Sequence, residues 1–465
     1  MQRLEKQFDE AELTAYARTV DRLRELPVDH PVRVRAEKAA AVLVREGRNR
    51  RRKERRAAAA AGDAALLAAT AAGALDRIAD APLQLPAQRA AALGELHKPR
   101  RCYVCKELYR EVDALYHQLC PGCAADNTAR RGLSTDLTGR RVLLTGGRVK
   151  IGFQLALMML RDGAELIVTS RFPQDAVRRF RAVEGSAQWL DRLTVVGIDL
   201  RDPRQVLGLC ERLQEEGRPL DILVNNAAQT LRRPPEAYAL LVAREREGLH
   251  GGVRVLSAAA PGAGGTAGDF GAPDTVGALG ALGGLGAIGA MGTEVDQAGL
   301  SPDPAAENSW SARLGSLDPA ELLEAQLVNA VAPALLCDRL LPLLLASPRP
   351  RRYIVNVTAV EGRFAVRNKT GRHPHTNMAK AALNMLTRTS AADLAAQGVH
   401  MCAVDTGWIT DENPAPKRGR IAAHGFRTPL DVVDGAARIY DPIVRGEAGA
   451  PVSGVFLKDY READW

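Results

Sequence analysis

Four cysteines in two close pairs have the residue type and spacing of a metal site. Cys102 and Cys105 form one C-x2-C pair, and Cys120 and Cys123 form a second pair after fourteen intervening residues. Each pair can aim two thiolates at one point, and two pairs complete the four-sulfur shell typical of structural Zn²⁺. Such a shell leaves no open position for a reactive water, so we expect a structural zinc ion. Four buried free thiols are the alternative, and His117 is a spare candidate ligand.

The segment HTNMAKAALNML, His375–Leu386, holds a second set of reactive residue types. Thr376 and Lys380 are four residues apart and would share one face of a helix. An aliphatic alcohol titrates far above neutral pH, so Thr376 can orient a carbonyl or a water but cannot act as a general acid. His373 and His375 titrate in the useful range, although two ordinary loop histidines are the simpler interpretation. Lys380 itself could serve if burial removes it from water.

The stretch LLTGGRVKIGFQLA has the composition of a nucleotide-binding turn between a strand and a helix. Gly146 and Gly147 would let the backbone approach a pyrophosphate, and Gly152 would permit tight packing of the helix. The N-terminus of that helix would supply N–H donors and positive potential. The strand–turn–helix context is what makes this glycine pattern informative.

Basic residues near this turn favour NADP(H) over NAD(H). The second strand ends in TSRF, which places Ser170 and Arg171 where an NAD enzyme usually has a carboxylate. A carboxylate would repel a ribose 2′-phosphate, whereas Arg171 would attract it. Arg148 and Lys150 are expected to add positive charge in the turn. A surface arginine beside a turn that binds no nucleotide is the alternative interpretation.

The elements that must position these residues alternate between strands and helices from about residue 138. Short apolar strands are predicted in RVLLTGG, AELIVTSR, LTVVGIDL, DILVNNA, YIVNVT and VHMCAVDTG, with helices such as FQLALMMLRDG between them. This alternation predicts an α/β fold over residues 138–465, with a Rossmann-like, doubly wound parallel sheet. We expect an α-helical region over residues 1–100 and a small zinc-ribbon-like module over residues 101–130 to precede it.

The helical N-terminal region carries an arginine-rich run, RNRRRKERR, at Arg48–Arg56. Together with the net charge of +8, the run could attract nucleic acid or an acidic protein partner. No aromatic residues interleave the arginines, so a solvated helix face is the favoured interpretation and nucleic acid binding is disfavoured.

Residues 231–318 interrupt the alternation with a Gly/Ala-rich insertion that contains GALGALGGLGAIGAMG. The nineteen uncharged residues between Asp274 and Glu294 have the length of a membrane span. Because Gly and Ala dominate them, we expect no membrane span and an irregular excursion instead. A lid or a loop that contacts a protein partner is the functional alternative.

Taken together, these motifs resemble those of the short-chain dehydrogenase/reductase family. The family's turn, T-G-x-x-x-G-x-G, appears as TGGRVKIG with Lys150 in place of the middle glycine, and NNAG appears as NNAA at Asn225–Ala228. The adenine-pocket acid matches Asp199 in IDL, and the nicotinamide-side PG motif appears as DTGWIT with Gly407 kept. The resemblance implies a cofactor site formed by Thr145, Gly146, Gly147, Arg148, Lys150, Ile151, Gly152, Ser170, Arg171, Asp199, Leu200, Asn226, Ala227, Ala228, Lys380, Gly407, Trp408, Ile409 and Thr410.

The same resemblance implies a non-standard catalytic site, because the family uses Asn, Ser, Tyr and Lys. Asn329 matches the Asn that organises a proton-relay water, and Lys380 matches the Lys that holds the nicotinamide ribose. Ala359 stands at the serine position, with Thr358 immediately before it, and Thr376 stands at the tyrosine position. The cysteine module and the signatures HTNMAK, GWITDENP and FLKDY are similar to those of an atypical, uncharacterised subgroup of this family.

Three functions of different classes are compatible with these residues. The first is an NADP(H)-dependent oxidoreductase whose proton comes from His375 or His373, from a water held by Asn329 and Lys380, or from the small-molecule substrate itself. The second is a non-redox enzyme or a nucleotide-binding pseudoenzyme, and a nucleic-acid-associated protein ranks third. The resemblance suggests a homo-oligomer, and the N-terminal region or the insertion could contact a protein partner. The charged start MQRLEKQFDE and the reduced cysteine pattern favour a cytoplasmic location.

Overall fold

The computed structural model of the chain describes residues 9–85, 92–247, 253–258, 295–302, 304–366 and 369–465. Two compact units are present: one runs to Leu66 and includes Leu96–Pro99, and the other comprises Leu67–Glu95 and Arg100–Trp465. The first unit is mainly helical, and the second contains the sheet.

Two long helices make up most of the first unit. Helix α1, Glu10–Glu25, begins at Asp9, whose side chain accepts a hydrogen bond from the Glu12 N–H while Glu12 accepts one from the Asp9 N–H. Helix α2, Pro31–Ala68, contains the Arg48–Arg56 run, and neither helix has a buried residue. The arginine side chains of the run are exposed, as a solvated helix face requires.

The end of the predicted helical region is a strand. β1, Gly94–Arg101, pairs antiparallel with β2, Leu108–Val112, to form a two-stranded hairpin. Helices were expected up to residue 100, and for this segment that expectation is wrong. Pro99 lacks the N–H that a helix interior needs, and the hairpin instead brings the cysteine segments together.

The two cysteine pairs lie in different backbone settings of this module. Cys102 and Cys105 lie in the turn between β1 and β2, where Lys106 takes a left-handed conformation with φ 68°. Cys120 is the residue before helix α3, Pro121–Arg130, and Cys123 lies in the first turn of that helix.

A nine-stranded sheet forms the centre of the described part of the second unit. The strand order is β11-β10-β9-β8-β6-β3-β4-β5-β7, and every neighbouring pair is parallel except β10 and β11. This order confirms the predicted Rossmann-like, doubly wound α/β fold. The strands are β3 (Arg141–Leu144), β4 (Glu165–Ser170), β5 (Leu193–Gly197), β6 (Ile222–Asn225), β7 (Arg254–Ser257), β8 (Arg352–Thr358), β9 (Val399–Asp405), β10 (Phe456–Lys458) and β11 (Arg461–Ala463).

Helices cover both faces of the sheet. Alternate side chains of a strand point to opposite faces, and Val142 and Leu144 join one apolar cluster while Leu143 joins another. The helices are α4 (Lys150–Arg161), α5 (Pro173–Arg181), α6 (Pro203–Glu215), α7 (Ala239–Arg246), α8 (Pro319–Gln326), α9 (Ala332–Leu345), α10 (Pro374–Ala396), α11 (Ala415–Ala423) and α12 (Val432–Glu447). The first cluster includes residues of α4 and α12, and the second includes residues of α6, α9 and α10.

Buried ion pairs join the cysteine module to the start of α12. The Arg131 guanidinium lies 2.6 Å from the Asp431 carboxylate and 3.0 Å from that of Asp434, and both carboxylates are fully buried. Tyr116 donates a hydrogen bond of 2.5 Å to Asp434. Breaking one partner of such a buried network leaves an uncompensated charge, so these contacts hold the module firmly on the sheet domain.

The described part of the predicted insertion contains one α-helix and one strand besides turns and irregular segments. Residues 239–246 form α7, and β7 adds to the edge of the sheet beside β5 because its backbone pairs in parallel register there. The uncharged stretch between Asp274 and Glu294 lies outside the described residues. Elsewhere in the described chain, Pro319–Leu345 is long and apolar enough to cross a membrane by length and composition alone, but half of its apolar window is buried, as in a core helix.

Candidate functional site

An open cleft of about 780 Å³ lies at the carboxyl ends of the central strands. The loops that follow β3, β4, β6, β8 and β9 line it. From β3, the next strands β4 and β5 extend the sheet in one direction, whereas β6, β8 and β9 extend it in the other. Doubly wound sheets bind ligands at this point of reversal, here between β3 and β6. Of the cofactor residues that the resemblance implies, all but Thr145 and Gly147 line the cleft.

Three glycines let the turn after β3 lie against its neighbours. A Cβ on Gly152 would meet the Gly146 carbonyl oxygen and lie 2.5 Å from Asn226 Nδ2. A Cβ on Gly146, whose φ is +73°, would lie 2.9 Å from Ala227 Cα, and one on Gly147 would lie 2.7 Å from a valine of β4. Side chains at these three positions would clash with neighbouring atoms. The glycines therefore leave the backbone of this turn free to approach a pyrophosphate.

Thr145 and Asn226 fix the shape of this turn. Asn226 Nδ2 donates to the carbonyl oxygens of Thr145 and Gly146 at 3.0 and 3.1 Å. In return, Thr145 Oγ1 accepts hydrogen bonds from the N–H groups of Asn226 and Ala227, each at 3.0 Å. Thr145 thus belongs to the site as a positioning residue, although it does not line the cleft.

Lys150 takes the position of the middle family glycine and keeps a left-handed backbone, with φ 54°. Its Nζ lies 3.0 Å from the Asp80 carboxylate and 3.8 Å from that of Glu412. The lysine charge is therefore largely balanced by two acids rather than free in the cleft. Neither partner follows from the turn's own sequence.

Arg148 also contributes less positive charge than the sequence suggests. Its guanidinium lies 2.6 Å from the Asp175 carboxylate and donates to the Ala298 carbonyl oxygen at 2.8 Å. Arg148 was expected to add positive charge in the turn, and Asp175 in the first turn of α5 offsets that charge.

Ser170 and Arg171 lie at the end of β4, at the edge of the cleft. Ser170 Oγ accepts a hydrogen bond from the Phe172 N–H at 2.9 Å, which shapes the turn into α5. The Arg171 guanidinium lies 5.1 Å from the centre of the Tyr238 ring and makes a weak hydrogen bond of 3.4 Å to its hydroxyl. No acid of the described residues pairs with Arg171, so its charge is available to an anion.

Asp199 lies at the same end of the cleft, after β5. Its carboxylate forms a close ion pair with Arg201, with Nη2 2.5 Å from Oδ2. Burial acts to raise the pKa of Asp199, but hydrogen bonds and charge from Arg201 outweigh it and hold that pKa below its usual range. Asp199 is therefore ionised, and Leu200 beside it supplies an apolar surface suited to a flat base.

Lys380 and Thr358 lie at the opposite end of the cleft. Lys380 Nζ donates to the Val357 carbonyl oxygen at 2.9 Å, and only 4 % of the residue is exposed. Burial lowers the pKa of Lys380 to about 8, with the nearby Glu361 carboxyl opposing the shift. Ala359, at the family's serine position, also lines this wall.

Asn329 lies in a π-helical turn, Leu327–Val331, between α8 and α9. Its side chain is buried and forms two reciprocal hydrogen bonds with Gln229, accepting from the N–H at 2.8 Å and donating to the carbonyl at 2.9 Å. Such π-turns are frequent at functional sites. Here the amide holds the loop after β6 in place, and that loop lines the cleft.

The structure separates Thr376 and His375 from the cleft that Lys380 lines. Thr376 is 3 % exposed, and its hydroxyl has no hydrogen-bond partner among the described residues. His375 is 1 % exposed, and its Nε2 faces Glu321 Oε1 at 3.2 Å. His373 stacks on Trp310 with 3.9 Å between ring centres, and burial lowers its pKa. This geometry favours structural roles for both histidines.

Two residues of the cleft were not singled out from the sequence. Tyr103 lies between the two cysteines of the first pair, and its hydroxyl accepts the Trp408 N–H at 2.8 Å. Glu361 lies in the turn after β8 and also lines the cleft. An acid three residues after a buried strand is a signal for Glu361, whereas only the fold brings Tyr103 to the site.

The four cysteines of the module form a compact cluster that could hold a metal ion. Their Sγ atoms all lie within 4.8 Å of one another, and Cys105 and Cys120 are 3.6 Å apart. Zinc–sulfur bonds of about 2.3 Å in a tetrahedron place the sulfurs roughly 3.8 Å apart, so the cluster fits a four-thiolate site. Burial acts to raise the pKa of Cys102, but N–H donors, led by that of Cys120, outweigh it and lower that pKa.

Two family models match the sheet domain. Residues 140–245 match the model described as short chain dehydrogenase, and residues 294–424 match the model described as enoyl-(acyl carrier protein) reductase. Both segments carry residues of the cleft. The gap between them coincides with much of the insertion.

Individual relatives and solved structures are similar at lower identity. An uncharacterised protein of Acanthamoeba polyphaga mimivirus, R665, is 29% identical over 371 residues, which are 74% of this chain and 71% of that protein. C-signal of Myxococcus xanthus is 29% identical over 141 residues, 30% of this chain and 79% of that protein. A short chain dehydrogenase from Burkholderia cenocepacia, solved in complex with NADP, is 20% identical, covers 70% of this chain and 97% of its own, and has a TM-score of 0.45.

Proposed function

The chain belongs to the short-chain dehydrogenase/reductase family, and we propose that it is an NADP(H)-dependent oxidoreductase with a non-standard active site and a small-molecule substrate. The observation that carries the proposal is a single cleft with the glycine turn and Arg171 at one end and Lys380 at the other.

The residues of the cleft divide into the parts that such a cofactor needs. The turn at Gly146–Gly152 and the N-terminus of α4 would hold the pyrophosphate, and Arg171 would attract a 2′-phosphate. Lys380 would hold the nicotinamide ribose, and the loop Gly407–Thr410 would contact the nicotinamide end. When bound, the cofactor supplies or accepts a hydride.

A nucleotide-binding pseudoenzyme is the second candidate. It is supported by the position of Thr376, whose hydroxyl is buried away from the cleft although it occupies the family's tyrosine position. Nucleotide binding without NADPH oxidation in the presence of carbonyl compounds would favour this candidate over the first.

Calorimetric titration with NADPH and NADH tests the cofactor assignment. The Arg171→Ala variant should lose about tenfold to a hundredfold in NADPH affinity, because a charged hydrogen bond to a phosphate contributes about 1.5–3 kcal/mol. NADH affinity should stay unchanged, and Arg246→Ala, which removes an exposed arginine of α7, is the matched control. Equal losses for both nucleotides, or no loss, would overturn the NADP(H) assignment.

We also infer that the cysteine cluster holds structural Zn²⁺ and that the chain has three parts, residues 1–100, 101–130 and 138–465. Elemental analysis should give about one zinc per chain. We further propose a cytoplasmic homo-oligomer, with the N-terminal region or the insertion as the contact for any protein partner. Light scattering of the purified chain measures the oligomeric state, and a monomer would contradict that part.

A further inference from the structure

We propose that Glu361 is the catalytic acid of this cleft and that it protonates the oxygen or nitrogen of a carbonyl or imine substrate. The inference rests on the proposed oxidoreductase function. It assigns to Glu361 the role that Thr376 cannot fill, because the alcohol is a poor acid and lies outside the cleft.

The backbone places Glu361 on the wall of the cleft that also carries Lys380. Glu361 belongs to the short 3-10 turn Val360–Gly362, which follows β8 and Ala359. A Cβ on Gly362 would lie 2.7 Å from the Lys380 carbonyl carbon and 2.8 Å from Lys380 Cβ. The turn is thus packed directly on α10 at Lys380, and both side chains line the cleft.

The surroundings of Glu361 raise the pKa of its carboxyl group above the usual range. Burial is the main cause that raises the pKa of Glu361, and the Asp405 carboxylate raises it further. Lys369 and Lys458 act in the opposite direction as nearby charges, but the pKa stays above its usual range. Lys380, buried on the same wall, also interacts electrostatically with this carboxyl.

Four of the five other acids that line the cleft lie in ion pairs, and the fifth, Asp411, accepts hydrogen bonds from Asn413. Glu412 lies 3.8 Å from Lys150 Nζ, Asp405 lies 3.4 Å from Lys458 Nζ, and Asp199 is bound by Arg201. Glu361, by contrast, forms no ion pair with any residue that the structure describes. A half-buried carboxyl that forms no ion pair in the described chain and lines a ligand cleft matches the requirements of a general acid.

The proposed step for a carbonyl substrate is balanced with the reduced nicotinamide as the hydride donor. Glu361 gives its O–H proton to the substrate oxygen while the carbonyl carbon gains the hydride. The C=O π bond breaks, one C–H and one O–H bond form, and the substrate is reduced to an alcohol. The Glu361 carboxylate then regains a proton from water at the open side of the cleft.

Three variants test the assignment with two readouts. Glu361→Gln removes the acid with little change in shape, Glu361→Asp keeps an acid on a shorter stem, and Glu462→Gln changes an exposed glutamate of β11. Infrared difference spectra at pH 7 report whether the Glu361 carboxyl is protonated, without any substrate. NADPH oxidation with 4-nitrobenzaldehyde and 9,10-phenanthrenequinone reports turnover, and calorimetry reports NADPH affinity.

We expect a protonated-carboxyl band in the wild-type protein that Glu361→Gln lacks and Glu462→Gln keeps. The Glu361→Gln variant should lose about 10²–10⁴-fold in kcat, and Glu361→Asp should recover part of it. NADPH affinity should stay within about twofold of the wild-type value, because Glu361→Gln removes a proton donor and leaves the residues proposed to hold the cofactor unchanged. Wild-type kcat should fall as pH rises through the pKa of the acid, and Glu361→Gln should lack this decrease.

Failure of this inference differs from failure of the proposed function. Full kcat in Glu361→Gln, or an ionised Glu361 at pH 7, would overturn the acid assignment and leave the oxidoreductase intact. A wild-type protein that binds NADPH but oxidises it with neither probe would overturn both.

Discussion

Replacing Lys380 by methionine should stabilise the fold at neutral pH while it weakens cofactor binding. The folded protein holds the Lys380 proton less tightly than the unfolded chain does, because burial lowers the pKa from 10.5 to about 8. Below pH 8 the folded state therefore carries the full cost of a buried ammonium. That cost disappears as the pH rises from about 8 towards 10.5.

The size of the effect follows from the same two values. A difference of about 2.5 pKa units, at about 1.36 kcal/mol each, corresponds to roughly 3 kcal/mol at pH 7. Methionine keeps an apolar stem but cannot donate the 2.9 Å hydrogen bond to the Val357 carbonyl oxygen. Losing this hydrogen bond reduces the stabilisation by about 1 kcal/mol. We therefore expect Lys380→Met to gain about 2 kcal/mol in the free energy of unfolding.

Urea unfolding followed by tryptophan fluorescence at pH 7 and pH 10 measures this gain. The advantage of Lys380→Met should be large at pH 7 and nearly absent at pH 10, while NADPH affinity falls at pH 7. Lys53→Met, which changes an exposed lysine of α2, should show no such pH-dependent gain. A variant less stable than wild type at pH 7, or equally stabilised at both pH values, would refute the reasoning.

Three further perturbations test the site. Gly152→Ala should abolish NADPH binding, because the added methyl group meets the Gly146 carbonyl oxygen, and the circular dichroism spectrum should stay unchanged. Retained binding would contradict the role of this turn in holding the pyrophosphate. Tyr103→Phe should lower NADPH affinity about fivefold to twentyfold in calorimetry, because the Trp408 N–H loses its 2.8 Å hydrogen-bond acceptor. The control is Tyr16→Phe, at an exposed position of α1, which should leave the affinity unchanged. Cys105→Ser should lose the proposed zinc ion in elemental analysis and lower the Tm. It should also lower NADPH affinity, because Tyr103 lies close to this cysteine in the sequence. Unchanged NADPH affinity would show that the module and the cleft are independent.

Much of the fold could be predicted from the sequence because its signals are local. The apolar strands, the glycine turn and the C-x2-C pairs depend on periodicity and spacing within a few residues, and each appears where it was expected. The hairpin strand β1 was missed because its stability comes from pairing with β2, not from its own composition.

The parts of the site that could not be predicted depend on distant partners. Arg148 and Lys150 were expected to add positive charge in the turn, yet Asp175 and Asp80 balance these charges through contacts that only the tertiary fold creates. His375 had the right chemistry for an acid but faces Glu321 instead of the cleft. The residue type sets the intrinsic acidity of a side chain, whereas its burial and orientation decide whether it can donate a proton to a substrate in the cleft.

The ion pairs between Arg131 and the start of α12 constrain the order in which the protein can mature on the ribosome. The four cysteines lie within 22 residues, so the proposed zinc ion could bind soon after the module is synthesised. Arg131, however, is 300 residues from Asp431, and this contact cannot form until nearly the whole chain has emerged. During synthesis Arg131 therefore stays exposed to water until α12 emerges, and Tyr103 joins the cleft only at the end.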